Sequence, residues 1–91
     1  MDENNQAQGY TKAKGYTLVD ARNLLCPMPV IRVQEAVETL STGTLIKAIC
    51  TDPGVLHDIP AWVRVHGHTL ISAQEVKDEY IVVVEVNKQV D

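Results

Sequence analysis

The chain has 91 residues, of which 45% are hydrophobic, and a formal net charge of −4 from 12 acidic and 8 basic side chains. This length corresponds to one small domain, and the hydrophobic share excludes a disordered chain. The acidic balance and the scattered lysines and arginines argue against a nucleic-acid-binding protein, because phosphate contacts need clustered cations.

The N-terminal segment is polar and aperiodic, which predicts a flexible tail over residues 1–15. It has no apolar stretch typical of a signal peptide, and no later run approaches the ~18 apolar residues of a membrane span. Two cysteines, Cys26 and Cys50, are too few for a disulfide framework. We therefore expect a cytoplasmic protein with reduced thiols, one domain over residues 16–87 and a C-terminal tail over residues 88–91.

The first half of the domain predicts a strand, a helix and a second strand. Residues 16–22 alternate and are partly β-branched, whereas residues 27–40 carry apolar side chains at helical spacing. Pro27 suits the first helical position, and Gly43 is expected to end the helix. Residues 44–51 are apolar at nearly every position, so we expect the second strand to be buried on both faces.

The second half predicts another helix and a hairpin. Asp52 and Pro53 are typical of an N-cap followed by a first-turn proline. Pro60 lies inside the helical pattern, so we expect the helix to be kinked or restarted there. Residues 69–76 and 80–86 then form the hairpin. The order βαβαββ indicates an α/β fold, a two-layer sandwich with a four-stranded mixed sheet and two helices on one face.

The residues with the clearest chemical meaning are Cys26, Pro27, Met28 and Pro29, in that order. If Pro27 opens the helix, Cys26 is its N-cap and lies beside free N–H groups of the first turn and the positive end of the helix dipole. Both favour a thiolate, so we expect the pKa of this thiol to be lowered. Cys50 lies in the middle of a strand, and we expect it to be buried and inert.

Further residues on both sides of Cys26 form a longer pattern. They are Asp20, Leu24, Pro27, Pro29, Gly43, Asp52, Pro53, Asp58, Ile59, Pro60, Gly67 and His68. The pattern resembles that of the TusA (SirA-like) family, in which D-x-x-G-L-x-C-P-x-P precedes a glycine, D-P, D-I-P and a turn with a small residue and a histidine. The resemblance extends over residues 16–86.

The resemblance implies a sulfur carrier that holds sulfane sulfur as a persulfide on Cys26 and needs no cofactor. It implies protein partners, with a cysteine desulfurase or a rhodanese as donor and a DsrE-like or other protein as acceptor. The acceptors of such relays serve tRNA thiolation, molybdenum-cofactor synthesis or sulfur oxidation. The carrier is a relay of the sulfurtransferase type that acts with partners rather than as a stand-alone enzyme, and we expect no direct contact with nucleic acid or membrane.

The supporting site is expected to comprise Pro27, Met28 and Pro29, together with Arg22 and Asn23 upstream. Arg22 either stabilises a thiolate or persulfide or is simply solvated. Asn23 stands where the family has a glycine, and asparagine is the side chain that best tolerates the positive φ that a glycine there suggests.

The exposed face of the first helix is a candidate docking surface. Arg32, Glu35 and Glu38 lie on it, and its acidity contrasts with the basic residues of many relatives. It either receives a basic patch of a partner or is merely a solvated face. Asp58 either orients an arginine or a backbone donor near the site or is an ordinary helix residue. Trp62 is either part of the core or a partner contact.

Two other functions stay open from the sequence. The first is a regulatory or nucleic-acid-binding module of the same fold, since the family is similar to the C-terminal domain of a translation initiation factor. The second is a thiol redox enzyme, for which Cys50 is poorly placed as a resolving cysteine. A metal site is not expected, because the spacing of the cysteines and histidines fits no zinc pattern.

Overall fold

The computed structural model describes residues 10–13 and 15–88. Its strands are β1 (Tyr10–Ala13), β2 (Tyr16–Ala21), β3 (Leu45–Cys50), β4 (Thr69–Val76) and β5 (Glu79–Glu85), and its helices are α1 (Met28–Thr39) and α2 (Val55–Val65). From β2 onward the order is βαβαββ, so the predicted fold class is confirmed.

The strands form one mixed sheet in the order β1-β2-β3-β5-β4. β2 and β3 are parallel and are joined through α1, whereas the other neighbouring pairs are antiparallel. The tight turn between β4 and β5 contains Lys77 and Asp78 at φ values of 49° and 67°. Left-handed backbone at both positions is typical of a two-residue hairpin turn, so the chain reverses there without splaying the strands.

Both helices cover one face of the sheet. Buried and half-buried residues alternate along β2, β3 and β5, and Val19, Ala48 and Val82 form a fully buried row across the three strands. Val33 of α1 and Ile59 of α2 are fully buried in the same core. Each such side chain contributes about 1.5–3 kcal/mol through burial, so an aliphatic core suffices to hold the layers together.

The opposite face of β3 is only half-buried. Leu45, Lys47 and Ile49 all retain some exposure there, so the expectation of burial on both faces is wrong. The reason is that neither described helix packs on this face. The apolar side chains of β3 therefore alternate between the buried core face and a half-buried face.

The second helix begins later than predicted and is continuous. Val55 opens α2 with Gly54 as its N-cap, while Pro53 lies in a preceding turn in which the Val55 N–H donates to the Asp52 carbonyl at 3.1 Å. The expected restart at Pro60 is wrong, because α2 runs through this residue. Pro60 is buried, so packing of its ring compensates for the hydrogen bond that it cannot donate.

A fifth strand adds to the four that were predicted. Tyr10–Ala13 pairs antiparallel with β2, with Tyr10 opposite Val19 and Ala13 opposite Tyr16. These residues therefore do not belong to a flexible tail, and Gly15, at a φ of 77°, lies in the connection. The tail predictions for residues 1–9, 14 and 89–91 lie outside the described residues.

The predicted C-terminal tail is anchored at its first residue. The Lys88 N–H donates to the Thr42 hydroxyl at 3.0 Å, and the Lys88 ammonium donates to the Glu38 carbonyl at 3.3 Å. Lys88 is thus held against the domain, one residue beyond the predicted end of that domain.

Candidate functional site

Cys26 lies in the loop that follows β2, immediately before α1. α1 begins at Met28 with Pro27 as its N-cap and Pro29 in its first turn. The Met28 N–H donates to the Leu25 carbonyl at 2.8 Å, which closes a tight turn around the cysteine. The side chain of Cys26 is exposed at the tip of this turn.

The sequence suggested that Cys26 is the N-cap of α1, but the N-cap is Pro27 and Cys26 is the residue before it. The turn uses the Met28 N–H internally, and Pro29 has no N–H to donate. The helix terminus thus offers the sulfur fewer donors than an N-cap cysteine would have.

Two side chains from the segment between β3 and α2 hold the Cys26 loop in place. The Thr51 hydroxyl accepts the Asn23 N–H at 2.8 Å, and the Asp52 carboxylate accepts the Cys26 N–H at 2.9 Å. The second carboxylate oxygen of Asp52 accepts the Gly54 N–H at 3.0 Å. These hydrogen bonds lower the pKa of Asp52, first through Gly54 and then through Cys26. The Cys26 loop is thus fixed to the segment between β3 and α2 before any partner binds.

Asn23 has a φ of 66°, in the left-handed region of backbone conformation. Asparagine and glycine both adopt this region readily, whereas other side chains do so at a cost. The backbone at this position therefore explains how asparagine replaces the glycine of the family pattern.

The thiol of Cys26 is hydrogen-bonded to a carboxylate. Its Sγ donates to Oδ2 of Asp58 at 2.8 Å. Asp58 lies in the first turn of α2 and is half-buried. Asp58 is therefore a residue of the site, but its partner is the sulfur of Cys26 rather than the arginine or backbone donor that the sequence suggested.

This contact raises the pKa of the Cys26 thiol, so the expectation of a lowered value is wrong. The largest cause is the hydrogen bond to Asp58, followed by desolvation and then by the negative charges of Asp58 and Asp52. Ionisation would remove the donated proton and would place a thiolate against a carboxylate. At neutral pH the free chain therefore holds Cys26 as a protonated thiol.

Arg22 contacts carboxylates rather than the sulfur. Its Nε lies 2.9 Å from Oδ1 of Asp20, and its Nη1 lies 3.6 Å from Oε2 of Glu79. The pKa of Asp20 is lowered mainly by its hydrogen bond from the Arg22 side chain, and the charge of Arg32 lowers it further. The proposed role of Arg22 as a partner of the thiolate is thus not supported by its contacts.

Cys50 is the last residue of β3 and is fully buried. Burial is the main cause that raises the pKa of its thiol to about 12, with smaller contributions from the charges of Asp52 and Asp20. The interpretation of Cys50 as a buried core residue is confirmed.

The predicted docking residues lie farther along α1. Glu35 and Glu38 are exposed, and Glu38 lines a groove of about 720 Å³ between α1 and the end of α2. Trp62 also lines this groove, packs against the core, and stacks on His66 and His68 with centroid distances of 4.5 and 5.3 Å. Neither Cys26 nor any other residue of its loop lines the groove.

Two further features of the structure bear on the function classes considered above. Among residues 10–13 and 15–88, no three cysteine, histidine or acidic side chains come together as metal ligands. Within the same part of the chain, no helix is long and apolar enough to cross a membrane.

Asp58 is the site residue whose role could not be derived from the sequence. It lies 32 positions from Cys26 and reaches the sulfur only because α1 and α2 pack side by side. The available signal was its place in the D-I-P part of the longer pattern, which marks the position without indicating what it contacts.

Comparisons with known proteins agree with this fold and show the family of the chain. A family model described as "Sulfurtransferase TusA" matches residues 17–86. The putative sulfur carrier protein YrkI of Bacillus subtilis (strain 168) is 34% identical over 65 residues, which cover 71% of this chain and 87% of YrkI. The sulfur carrier protein TusA of Pseudomonas putida (strain W619) is 39% identical over 64 residues, which cover 70% of this chain and 80% of that protein.

A solved structure shows the same fold. The crystal structure of a SirA-like protein from Desulfitobacterium hafniense superposes with a TM-score of 0.67 and covers 78% of this chain and 97% of its own. At 18% identity, this likeness concerns the fold alone.

Proposed function

Because the chain belongs to the sulfurtransferase TusA family, a family of sulfur carriers, we propose that it accepts sulfane sulfur as a persulfide on Cys26 and relays it to partner proteins. The observation that carries the assignment to Cys26 is the contrast between an exposed thiol on a fixed loop and a fully buried Cys50. A donor protein reaches the first sulfur without any rearrangement of the core.

The surroundings of Cys26 suit a protein partner better than a small substrate. Leu25 and Met28, on either side of the cysteine turn, are 75% and 41% exposed. Exposed apolar side chains next to a reactive group are typical of a contact surface for another protein. In the proposal, both donor and acceptor bury these two side chains when they approach the sulfur.

The transfer step needs no oxidant or reductant. The Cys26 sulfur attacks the outer sulfur of a donor persulfide, R–S–SH, and forms a new S–S bond with it. The S–S bond of the donor breaks, and its electron pair stays on the donor cysteine, which takes up the proton released by Cys26. The products are R–SH and a persulfide on Cys26, and delivery to an acceptor repeats the step with Cys26 as the leaving group.

The partners that fit the proposal are a cysteine desulfurase or a rhodanese as donor and a DsrE-like or other thiol protein as acceptor. The exposed acidic residues of α1, Glu35 and Glu38, fit a basic docking patch on at least one of them. Arg32 lies on the same helix and completes the proposed docking surface.

The relay is tested by the rate at which a desulfurase with cysteine, or a rhodanese with thiosulfate, delivers sulfur to a second protein. Adding the chain is expected to raise this rate, and Cys26→Ser is expected to abolish the increase. Cys50→Ala is the matched control and should retain it. An increase that persists in Cys26→Ser would contradict the proposed function.

A further inference from the structure

We propose that Asp58 holds the proton of Cys26 in the free carrier, and that a lysine or arginine presented by the sulfur donor releases it on docking. This inference rests on the proposed function, since it describes how that site is regulated. It assigns Asp58 the role of a hydrogen-bond acceptor that keeps the thiol protonated, and it assigns the donor a cationic contact beside the sulfur.

The first argument is the geometry of the hydrogen bond. Sγ of Cys26 donates to Oδ2 of Asp58 at 2.8 Å, and Asp58 projects from a different element, α2. Within residues 10–13 and 15–88, the hydrogen bond from Cys26 is the contact that the structure shows for the Asp58 carboxylate, which is thus directed at the sulfur. A carboxylate held there favours the protonated thiol and disfavours the thiolate, which is the nucleophile in sulfur transfer.

The second argument is the charge around the sulfur. Asp52, on the segment before α2, adds a second negative charge and accepts the Cys26 N–H at 2.9 Å. Both carboxylates raise the pKa of the thiol. Arg22, the cation nearest in sequence, is committed to Asp20 and Glu79. In the part of the chain that the structure describes, the charges that shift the pKa of the sulfur are therefore the negative ones of Asp58 and Asp52.

The third argument is that the site is open to a partner. Cys26 is exposed, and Leu25 beside it is 75% exposed. A cation brought to this edge pairs with Asp58 or Asp52, weakens their repulsion of a thiolate and permits ionisation. The carrier is then a weak nucleophile toward small oxidants and electrophiles when alone, and a strong one in the complex.

The experiment measures alkylation of Cys26 by iodoacetamide as a function of pH in the free chain. Asp58→Asn is expected to move the midpoint to lower pH and to speed alkylation several-fold at pH 7. Glu75→Gln removes one exposed negative charge on β4 and should leave the midpoint unchanged. Circular dichroism confirms that each variant is folded.

A second pair of variants imitates the cation of the donor. Leu25→Lys places an ammonium group beside the sulfur, and Leu25→Gln is the uncharged control. The lysine variant is expected to have the lower midpoint and the faster alkylation at pH 7. Equal midpoints in wild type and Asp58→Asn, or in the two Leu25 variants, would overturn the proposal.

The sulfur transfer reaction tests the release of the proton directly. The pH midpoint for loading of the wild type by its donor should lie below the alkylation midpoint of the free chain, and coincidence of the two would overturn the role of the donor. Alkylation requires no bound sulfur. A chain that never accepts sulfur would therefore contradict the proposed function while leaving the effect of Asp58 on the thiol measurable.

Discussion

The carboxylate of Asp52 accepts the backbone N–H of Cys26 at 2.9 Å, across 26 positions of sequence. With its other oxygen it accepts the Gly54 N–H at 3.0 Å. One side chain thus fixes the start of α2 relative to the loop that presents the sulfur. The position of Cys26 depends on this contact as much as on the helix that follows it.

Asp52→Ala is expected to lower the melting temperature by a few degrees and to slow sulfur loading, because both hydrogen bonds are lost and the loop is released. Asp52→Asn keeps one acceptor oxygen and should be intermediate. Thermal unfolding followed by circular dichroism, together with loading rates, checks this. Glu75→Ala, which removes an exposed carboxylate on β4, is the control, and equal effects of the two alanine variants would contradict the role of Asp52.

The Asp52 contribution also has a definite pH dependence. Its pKa in the folded chain is lowered from the ordinary value of 3.8. The stability it provides is therefore present above that value and is lost as pH falls through the folded pKa. The difference in melting temperature between wild type and Asp52→Asn should accordingly shrink in strong acid.

Asn23 is predicted to be replaceable by glycine but not by alanine. Its φ of 66° is left-handed, which costs an ordinary L-residue about 1 kcal/mol or more. Asn23→Gly should match or exceed the wild type in free energy of unfolding, and Asn23→Ala should lose about 1 kcal/mol. Urea denaturation measures both. Equal stability of the two variants would show that the backbone at this position is not left-handed.

The two thiols are predicted to react at very different rates in the native chain. Cys26 is exposed, whereas Cys50 is fully buried and the pKa of its thiol is raised to about 12. Excess iodoacetamide at pH 8 should therefore add one group, on Cys26, and a second only after denaturation. Peptide mapping identifies the site, and rapid native labelling of Cys50 would contradict the burial on which the site assignment rests.

Charge reversal on α1 tests the proposed docking surface. Glu35→Lys with Glu38→Lys should slow sulfur transfer to the true partner, mainly through the association rate, and change its salt dependence. Stability should change by less than about 0.5 kcal/mol, because both side chains are exposed. Glu75→Lys with Glu85→Lys on the sheet gives the same change in net charge. Equal effects of the two double variants would place docking elsewhere.

Much of the fold was predictable because the strands and helices carry strong local patterns. The order of β2, α1, β3, α2, β4 and β5 follows from apolar spacings that change between strand and helix along the sequence. β1 was missed because a short polar segment gains its stability from pairing with β2 rather than from its own pattern. The start of α2 was misplaced because Asp52 bonds the Gly54 N–H in a turn that precedes the helix.

That Cys26 is the accessible thiol and Cys50 the buried one was predictable, but the direction of the Cys26 pKa shift was not. The motif around Cys26 indicated a helix terminus, and a helix terminus alone lowers the pKa of a thiol. The pKa of Cys26 is raised instead, mainly by Asp58, and the distance of Asp58 from the sulfur is set by the packing of α1 against α2. No local pattern encodes that distance.

The most direct test is the intact mass of the chain after incubation with a desulfurase and cysteine, or with a rhodanese and thiosulfate. The account predicts a gain of one sulfur atom that reducing agents remove, is unaffected by Cys50→Ala and is absent in Cys26→Ser. A gain that persists in Cys26→Ser, or that disappears only in Cys50→Ala, would contradict the assignment of the sulfur to Cys26.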